Sequence, residues 1–361
     1  MNRPLSDREI SRIRRRRRLR RRRLAAAGLL VIVLAAVGIA IAAAGGGSAH
    51  RTTSSVAGST TTAPATITTP APRRTPSTFG VGIGTDTFTD TSRTIELGDG
   101  STEPRTLITY VRYPAQGPAG ATDVQGAAPD TTDGPYPLIV FGHGFEKEPA
   151  LYAKLLQSWA HAGYVVAAPV FPLESARSPD GPQESDLVNQ PQDMRFVIDQ
   201  LLAESSGSGA LAGLINPNEI AVAGHSDGGD TALSVAYDPR LRDSRISAAA
   251  ILSGAEIPAL GPIAFPTGGP PLLATQGTAD RINPPGATYE YFAAAHPPKY
   301  LLRLLGAGHL PPYTVEGSQL HIVEHATIAF FNAYLKHRPG AIRELEAAGS
   351  VPGAATLVAE P

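Results

Sequence analysis

One serine in this 361-residue sequence lies between two glycines at a spacing typical of nucleophilic serines, Gly224-His225-Ser226-Asp227-Gly228. An apolar run of strand length precedes the motif, and a segment of helix length follows it. This context predicts a sharp strand-to-helix turn that exposes the hydroxyl of Ser226 beside a helix N-terminus. Side chains at both glycine positions would collide with neighbouring backbone in such a turn. We interpret His225 as a packing residue.

A nucleophilic serine needs a general base, and the base needs a carboxylate to orient it. The predicted strand 271–276 is followed by Asp280, and the predicted strand 299–305 is followed by His309. The carboxyl ends of parallel strands meet at one edge of a sheet, so the three side chains are expected to converge there. We therefore expect His309 to take the proton of Ser226 while Asp280 holds the imidazole.

Each of these two assignments has an alternative in the sequence. Asp280 also fits a helix N-cap, because it precedes Asn283 and a pair of prolines. Glu256 follows the preceding strand and is a competing acid. His309 also fits a loop histidine beside glycines.

A second glycine-rich turn, Gly142-His143-Gly144-Phe145, follows the predicted strand 137–142. Acyl transfer through a serine needs two backbone N–H donors for the oxyanion, and one of them follows the nucleophile. We expect the amide of Asp227 to be the first donor and the amide of Phe145 to be the second, with Gly144 as the other possibility for the second. A plain tight turn is the alternative for this loop.

Apolar runs of strand length alternate with longer amphipathic segments after residue 80. The predicted strands are 106–113, 137–142, 164–171, 219–224, 246–252, 271–276 and 299–305, and the predicted helices are 149–162, 188–204, 227–237, 285–296 and 318–337. This alternation predicts an α/β fold with a mostly parallel central sheet and helices on both faces. Residues 80–113 are expected to add an antiparallel edge hairpin, and residues 339–361 a short helix and a tail.

With these motifs in place, residues from about 80 to 340 resemble the α/β-hydrolase fold. The matching positions are 142–145, 224–228, 277–280 and 308–309. They are similar to the branch that holds dienelactone hydrolases, chlorophyllases, platelet-activating-factor acetylhydrolases and cutinase-like enzymes. The resemblance implies a serine carboxylester hydrolase of the esterase or lipase type. Asp227 departs from the apolar or small residue frequent at its position in this branch, and its charge should disfavour anionic acyl groups.

The substrate site is expected to be open. Only 13 residues separate Glu256 from Pro270, too few for the helical cap that many relatives carry after this strand. Apolar walls for an acyl chain are expected from Phe145, Leu310 and Tyr313, although each of these also fits a position in the core. We expect the substrate to be an ester- or acyl-bearing small molecule, lipid or polymer.

The segment His321-Ile322-Val323-Glu324-His325 matches a zinc-peptidase pattern, since two histidines four residues apart on a helix could share a metal. The apolar residues that follow it favour a helix packed on the sheet instead. We therefore expect neither a metal nor an organic cofactor.

The first 79 residues predict a membrane-targeting segment followed by a stalk. Residues 1–23 hold twelve arginines, and residues 24–44 are 21 uncharged, mostly apolar residues, which as a helix would span roughly 31 Å. The one-sided arginines predict a single-pass signal-anchor with a cytoplasmic N-terminus. A cleaved signal peptide, and hence a secreted protein, is the alternative. Residues 45–79 are Thr- and Pro-rich and predict a disordered stalk that leads to an extracytoplasmic hydrolase domain over residues 80–361.

Charge and cysteine content exclude other classes of protein. Residues 80–361 carry 16 basic and 30 acidic residues, which argues against binding of nucleic acid. The absence of cysteine excludes a thiol nucleophile and a disulfide scaffold. Besides ester hydrolysis, a peptidase or an acyltransferase with the same triad remains open, as does a surface binding module without catalysis.

Overall fold

The computed structural model of this protein describes residues 79–361. The predicted basic segment, the predicted anchor and all but the last residue of the predicted stalk lie outside this range. Within residues 79–361, no helix is long and apolar enough to cross a membrane.

The described residues form a single sheet of ten strands, with six parallel strands at its centre. The strands are β1 (Gly80–Glu96), β2 (Thr102–Ala115), β3 (Val124–Gln125), β4 (Tyr136–Gly142), β5 (Val165–Pro169), β6 (Ile215–His225), β7 (Ile246–Leu252), β8 (Leu272–Gly277), β9 (Lys299–Leu304) and β10 (Ala355–Glu360). Their order across the sheet is β10-β9-β8-β7-β6-β4-β5-β2-β1-β3. The strands from β9 to β5 in this order pair in parallel, as the alternation of strands and helices predicts.

Helices cover both faces of the sheet. They are α1 (Ala153–His161), α2 (Gln190–Ser206), α3 (Asp227–Tyr237), α4 (Pro285–Ala294), α5 (Pro311–Thr314), α6 (Ser318–Tyr334) and α7 (Ala341–Gly349), with 3-10 turns at Pro149–Tyr152 and Glu184–Asn189. β4, β5 and β8 are buried along their whole length and the other central strands along most of it, and apolar side chains form one core cluster on each face. Trp159 on α1 belongs to one cluster and donates its indole N–H to Thr327 Oγ1 at 2.8 Å.

The first two strands form the antiparallel edge hairpin that the sequence predicts. Gly80 pairs with Ala115 at one end of the hairpin and Glu96 pairs with Thr102 at the other. β2 then continues the sheet by pairing antiparallel with β5.

The end of the chain differs from the prediction. Residues expected to form a tail instead form β10, which pairs antiparallel with β9 from Ala355–Leu304 to Glu360–Lys299. Side chains of β10 alternate between more and less exposed positions, as expected for a strand at the edge of a sheet. A sequence of six residues with this pattern does not by itself predict a strand. The strand forms because it pairs with β9, which lies about fifty residues earlier in the chain.

A buried ion cluster fixes the hairpin to the helical layer. The guanidinium of Arg105 on β2 contacts Asp186 Oδ2 at 2.7 Å and Asp193 Oδ1 at 2.6 Å, and all three side chains are buried. Arg93 on β1 adds a contact to Asp193 Oδ1 at 2.8 Å. The attraction between the arginines and the carboxylates offsets much of the desolvation free energy that burying these charges costs.

In the part of the chain that the structure describes, the loop between β7 and β8 adds no helical cap over the carboxyl ends of the parallel strands. Residues 253–271, between β7 and β8, form turns and loop only. The short spacing between Glu256 and Pro270 thus leaves no helical cap at this loop, as expected, while Ser226 itself is only 8% exposed.

Candidate active site

Ser226 lies on the turn between β6 and α3. Its backbone has φ 56° and ψ −126°, an uncommon conformation for a residue with a side chain. Gly224 and Gly228 make the turn possible: a Cβ on Gly224 would lie 2.1 Å from the carbonyl oxygen of Gly228. The first N–H groups of α3, starting at Asp227, have no partner within the helix and make this end partly positive.

His309 and Asp280, each on the loop after its own strand, meet at the same edge. His309 Nδ1 lies 2.7 Å from Asp280 Oδ2, so Nδ1 carries the proton that the carboxylate accepts. The other oxygen, Asp280 Oδ1, accepts the backbone N–H groups of Ile282 and Asn283 at 2.8 and 3.0 Å. Asp280 is therefore not the N-cap of the next helix, whose N-cap residue is Pro284; its carboxylate holds both the local turn and His309. The competing acid, Glu256, is exposed.

The loop that carries His309 lies against the serine turn. His225 Nε2 lies 2.9 Å from the backbone oxygen of His309, and the two imidazole rings contact each other at 4.6 Å between centroids with their planes tilted by 49°. His225 therefore makes specific hydrogen bonds rather than acting only as a packing residue. The hydroxyl of Ser226 faces Asp227 Oδ1 at 3.4 Å in this structure.

The glycine-rich loop after β4 closes on Ser226 from the other side. A Cβ on Gly144 would lie 3.1 Å from Ser226 Cβ, so glycine allows this close approach. His143 braces the loop: its Nδ1 lies 3.0 Å from the Gly144 carbonyl, and its Nε2 accepts the N–H of Phe171 at 3.0 Å. Burial lowers the pKa of His143 to about 4, so the ring is neutral. The N–H of Gly144 donates to Tyr152 Oη at 3.3 Å.

Two of the three predicted substrate contacts reach the surface. Phe145 and Leu310 are partly exposed near the serine. Tyr313 is fully buried, and its hydroxyl lies 2.9 Å from Ser253 Oγ and 3.0 Å from Thr275 Oγ1. The apolar burial of its ring and these two hydroxyl partners hold Tyr313 behind the site, so its prediction as a wall for the acyl chain is wrong.

A group of buried carboxyls beneath Ser226 is a feature that the sequence did not reveal. Asp227 interacts with Glu174, which is fully buried and accepts a hydrogen bond from the amide of Gln190. Burial raises the pKa of Glu174 well above its ordinary value, and the charge of Asp227 raises it further. Burial and Asp227 likewise raise the pKa of Asp230. No periodicity links Glu174 to Asp227, because the fold alone brings the loop after β5 to the serine turn.

His321, the first histidine of the pattern on α6, contacts two carboxylates at the surface. His321 Nε2 lies 3.1 Å from Glu316 Oε1, and His321 Nδ1 lies 3.0 Å from Glu324 Oε2, with the ring about half exposed. Within residues 79–361, no three or more His, Cys, Asp or Glu side chains have an arrangement that could hold a metal ion.

Comparison with known proteins supports the same fold. The family model for chlorophyllase matches residues 109–258, which include the loop after β4 and the serine turn but end before Asp280. A search of curated proteins finds no match. Among 1129 matching chains of known structure, one is a ferulic acid esterase from Streptomyces cinnamoneus. It is 23% identical, covers 76% of this chain and 94% of its own, and superposes with a TM-score of 0.56.

The structural match shows that this chain has the α/β-hydrolase fold. The chlorophyllase model covers 150 of the 361 residues, and both similarities support the activity proposed below.

Proposed function

We propose that this α/β-hydrolase cleaves carboxylic esters with Ser226 as nucleophile, His309 as general base and Asp280 as the residue that orients the base. The observation that carries the proposal is the His309–Asp280 pair, whose loop lies against the turn of the strained Ser226 through the contact between His309 and His225. The uncommon backbone of Ser226 supports a catalytic role, because such strain is concentrated at functional sites.

In the acylation step, the hydroxyl of Ser226 turns from Asp227 toward His309. His309 Nε2 accepts the hydroxyl proton as Ser226 Oγ bonds to the carbonyl carbon of the ester. The 2.7 Å hydrogen bond from His309 Nδ1 to Asp280 fixes the tautomer in which Nε2 is the acceptor and stabilises the imidazolium that forms.

The oxyanion of the tetrahedral intermediate needs backbone donors. We assign these to the amides of Phe145 and Asp227. The amide of Gly144 is already directed to Tyr152 Oη, which favours Phe145 over Gly144 as the second donor. The N-terminus of α3 contributes a favourable partial charge at the same position.

The intermediate then collapses to an acyl-enzyme. The bond from the carbonyl carbon to the alcohol oxygen breaks, and His309 returns its proton to the departing alcohol. Water repeats the sequence on the acyl-enzyme: His309 takes a proton from water, the acid leaves and Ser226 recovers its proton. Apart from the ester and water, these steps use only groups of the chain itself.

The nucleophile is tested with the full-length chain in detergent. Wild type should react with a fluorophosphonate probe at Ser226 and hydrolyse short p-nitrophenyl esters, whereas Ser226→Ala should lose both properties. Ser234→Ala, at a buried serine on the helix that follows Ser226, is the matched control and should keep both. Ester turnover by Ser226→Ala above the uncatalysed rate would overturn the assignment.

The acceptor is tested by product analysis. Water as acceptor should give free acid in proportion to released alcohol, even when other alcohols or sugars are added. Transfer of most acyl groups to an added sugar would identify an acyltransferase, and cleavage of peptides but not esters would identify a peptidase.

We further propose that residues 24–44 tether the enzyme to a membrane, with residues 80–361 on the extracytoplasmic side. The support is the run of 21 uncharged residues with arginines on one side only. Such an enzyme would act on esters of small molecules, lipids or polymers outside the cytoplasm. Full-length protein should sediment with membranes and require detergent for release. Residues Ala40-Ile41-Ala42 fit a small-x-small cleavage site, so recovery in the soluble fraction with a mature N-terminus just after Ala42 would indicate a cleaved signal peptide.

A further inference from the structure

A chain of three hydrogen bonds connects the two loops that flank Ser226. The backbone N–H of Gly144 donates to Tyr152 Oη at 3.3 Å, and Tyr152 Oη lies 2.9 Å from His225 Nδ1. His225 Nε2 in turn lies 2.9 Å from the backbone oxygen of His309. The chain thus runs from the proposed oxyanion loop to the loop of the proposed base.

Each proton in this chain has one assignment. A backbone carbonyl only accepts, so His225 Nε2 carries a proton that it donates to His309. Burial, reinforced by the nearby His309, lowers the pKa of His225 well below its ordinary value, so the ring is neutral and Nδ1 is an acceptor. Tyr152 therefore donates its hydroxyl proton to His225 Nδ1 and accepts the N–H of Gly144.

The bridging side chains are held on every side. Tyr152 and His225 are almost completely buried, at 0% and 1% exposure, so water does not replace a lost partner. The ring of Tyr152 packs on Phe141 at 4.9 Å, and the ring of His225 packs on Tyr313 at 5.0 Å. The packed rings therefore hold the hydrogen bonds of the bridge in place, and a shift of one loop would move the other.

We propose that Tyr152 and His225 are positioning residues for the reaction. They hold the oxyanion loop, residues 142–145, and the loop of His309 at a fixed separation around Ser226. The proposal rests on the proposed function, because it assigns these residues a role in the same site. Neither side chain needs to touch the substrate, since the bridge acts through backbone atoms of Gly144 and His309.

This role predicts a loss in kcat rather than in KM. Misplacement of catalytic groups by about 1 Å costs on the order of 100-fold in rate, while ground-state binding depends on other contacts. Tyr152→Phe keeps the ring and removes only the hydroxyl, so it should lower kcat by about 10- to 100-fold with KM changed less than about threefold. Tyr164→Phe is the matched control, because Tyr164 is a fully buried tyrosine that donates to Asn332 away from the site.

The two links of the bridge should act as one unit. His225→Leu removes both ring hydrogen bonds, whereas His225→Gln keeps an amide donor for the His309 carbonyl and should recover part of kcat. The double variant Tyr152→Phe with His225→Leu should lose little more than His225→Leu alone, because the bridge is already broken. Independent, multiplicative losses would contradict the bridge.

A transition-state analogue separates positioning from general stability. Full-length variants should lose affinity for a boronic acid, which forms a tetrahedral adduct on serine, in parallel with the loss of kcat/KM. Denaturant midpoints of Tyr152→Phe and Tyr164→Phe should be similar, so that only the former loses activity. Equal kcat for these two variants, or a loss confined to KM, would overturn the proposal. Ser226→Ala is assayed beside them, because activity in that variant would overturn the proposed function instead.

Discussion

The carbonyl oxygen of Gly142 lies against Gly228, so closely that a Cβ added to Gly228 would approach this oxygen to 2.2 Å. Gly142 ends β4 and Gly228 lies in the first turn of α3. This backbone contact fixes the separation between the loop that would supply one oxyanion donor and the turn that would supply the other. The need for glycine here is therefore a matter of packing between two backbones.

Gly228→Ala should destabilise the protein severely, because the clash involves backbone on both sides and no flexible side chain relieves it. We expect a loss of more than about 4 kcal/mol in the free energy of unfolding, measured by denaturant titration. Gly286→Ala, in the first turn of α4 with nothing near its Cβ, is the control and should be neutral or stabilise by about 0.5–1 kcal/mol. Equal stability of the two variants would show that the serine turn relaxes freely.

Asp280→Asn should abolish most turnover without unfolding the protein. The amide oxygen still accepts the N–H groups that Asp280 Oδ1 accepts now, while the new NH₂ faces His309 and favours the wrong tautomer. In serine hydrolases this change costs about 10⁴-fold in kcat. Glu256→Gln is the matched control and should keep wild-type kcat. Loss of activity in Glu256→Gln with activity retained in Asp280→Asn would identify Glu256 as the acid.

The sequence predicted the parts of the site that depend on local spacing. The turn around Ser226 and the placement of Asp280 and His309 after successive strands follow from motifs and from the apolar runs before them. The contacts that it did not predict join distant residues: Tyr152 to His225, Glu174 to Asp227 and Arg105 to Asp193. Polar side chains in such pairs have no periodicity, and only the completed sheet brings them together.

The carboxylate of Asp227 should select against anionic acyl groups. It lies beside Ser226 Oγ at 3.4 Å, where a second negative charge on the substrate would be repelled. Asp227→Asn keeps the backbone amide and should raise kcat/KM for a hemisuccinate ester about five- to tenfold relative to a neutral butyrate ester. Steady-state kinetics at low and high salt would measure this ratio. The same ratio in wild type and variant would place the charge too far from the acyl group to matter.

Glu174 should make the protein less stable as the pH rises. Its pKa in the folded protein is well above its ordinary value, because burial and Asp227 disfavour the charged form. Below the unfolded pKa both states are protonated, so the contribution of Glu174 to stability is fully present. This contribution is lost as the pH rises toward the folded pKa, because the unfolded chain releases its proton at a lower pH than the folded protein. The free energy of unfolding then falls by up to about 1.4 kcal/mol per pH unit.

Glu174→Gln removes this titration while its amide oxygen still accepts from Gln190. The difference in free energy of unfolding between variant and wild type should therefore grow in favour of the variant from pH 5 to pH 8. Comparing the two proteins cancels the effect of the buried His143 and His225, which titrate in both. Glu146→Gln, an exposed glutamate on the loop after β4, should follow the wild-type profile. Parallel profiles for Glu174→Gln and wild type would mean that Glu174 is ionised in the folded protein.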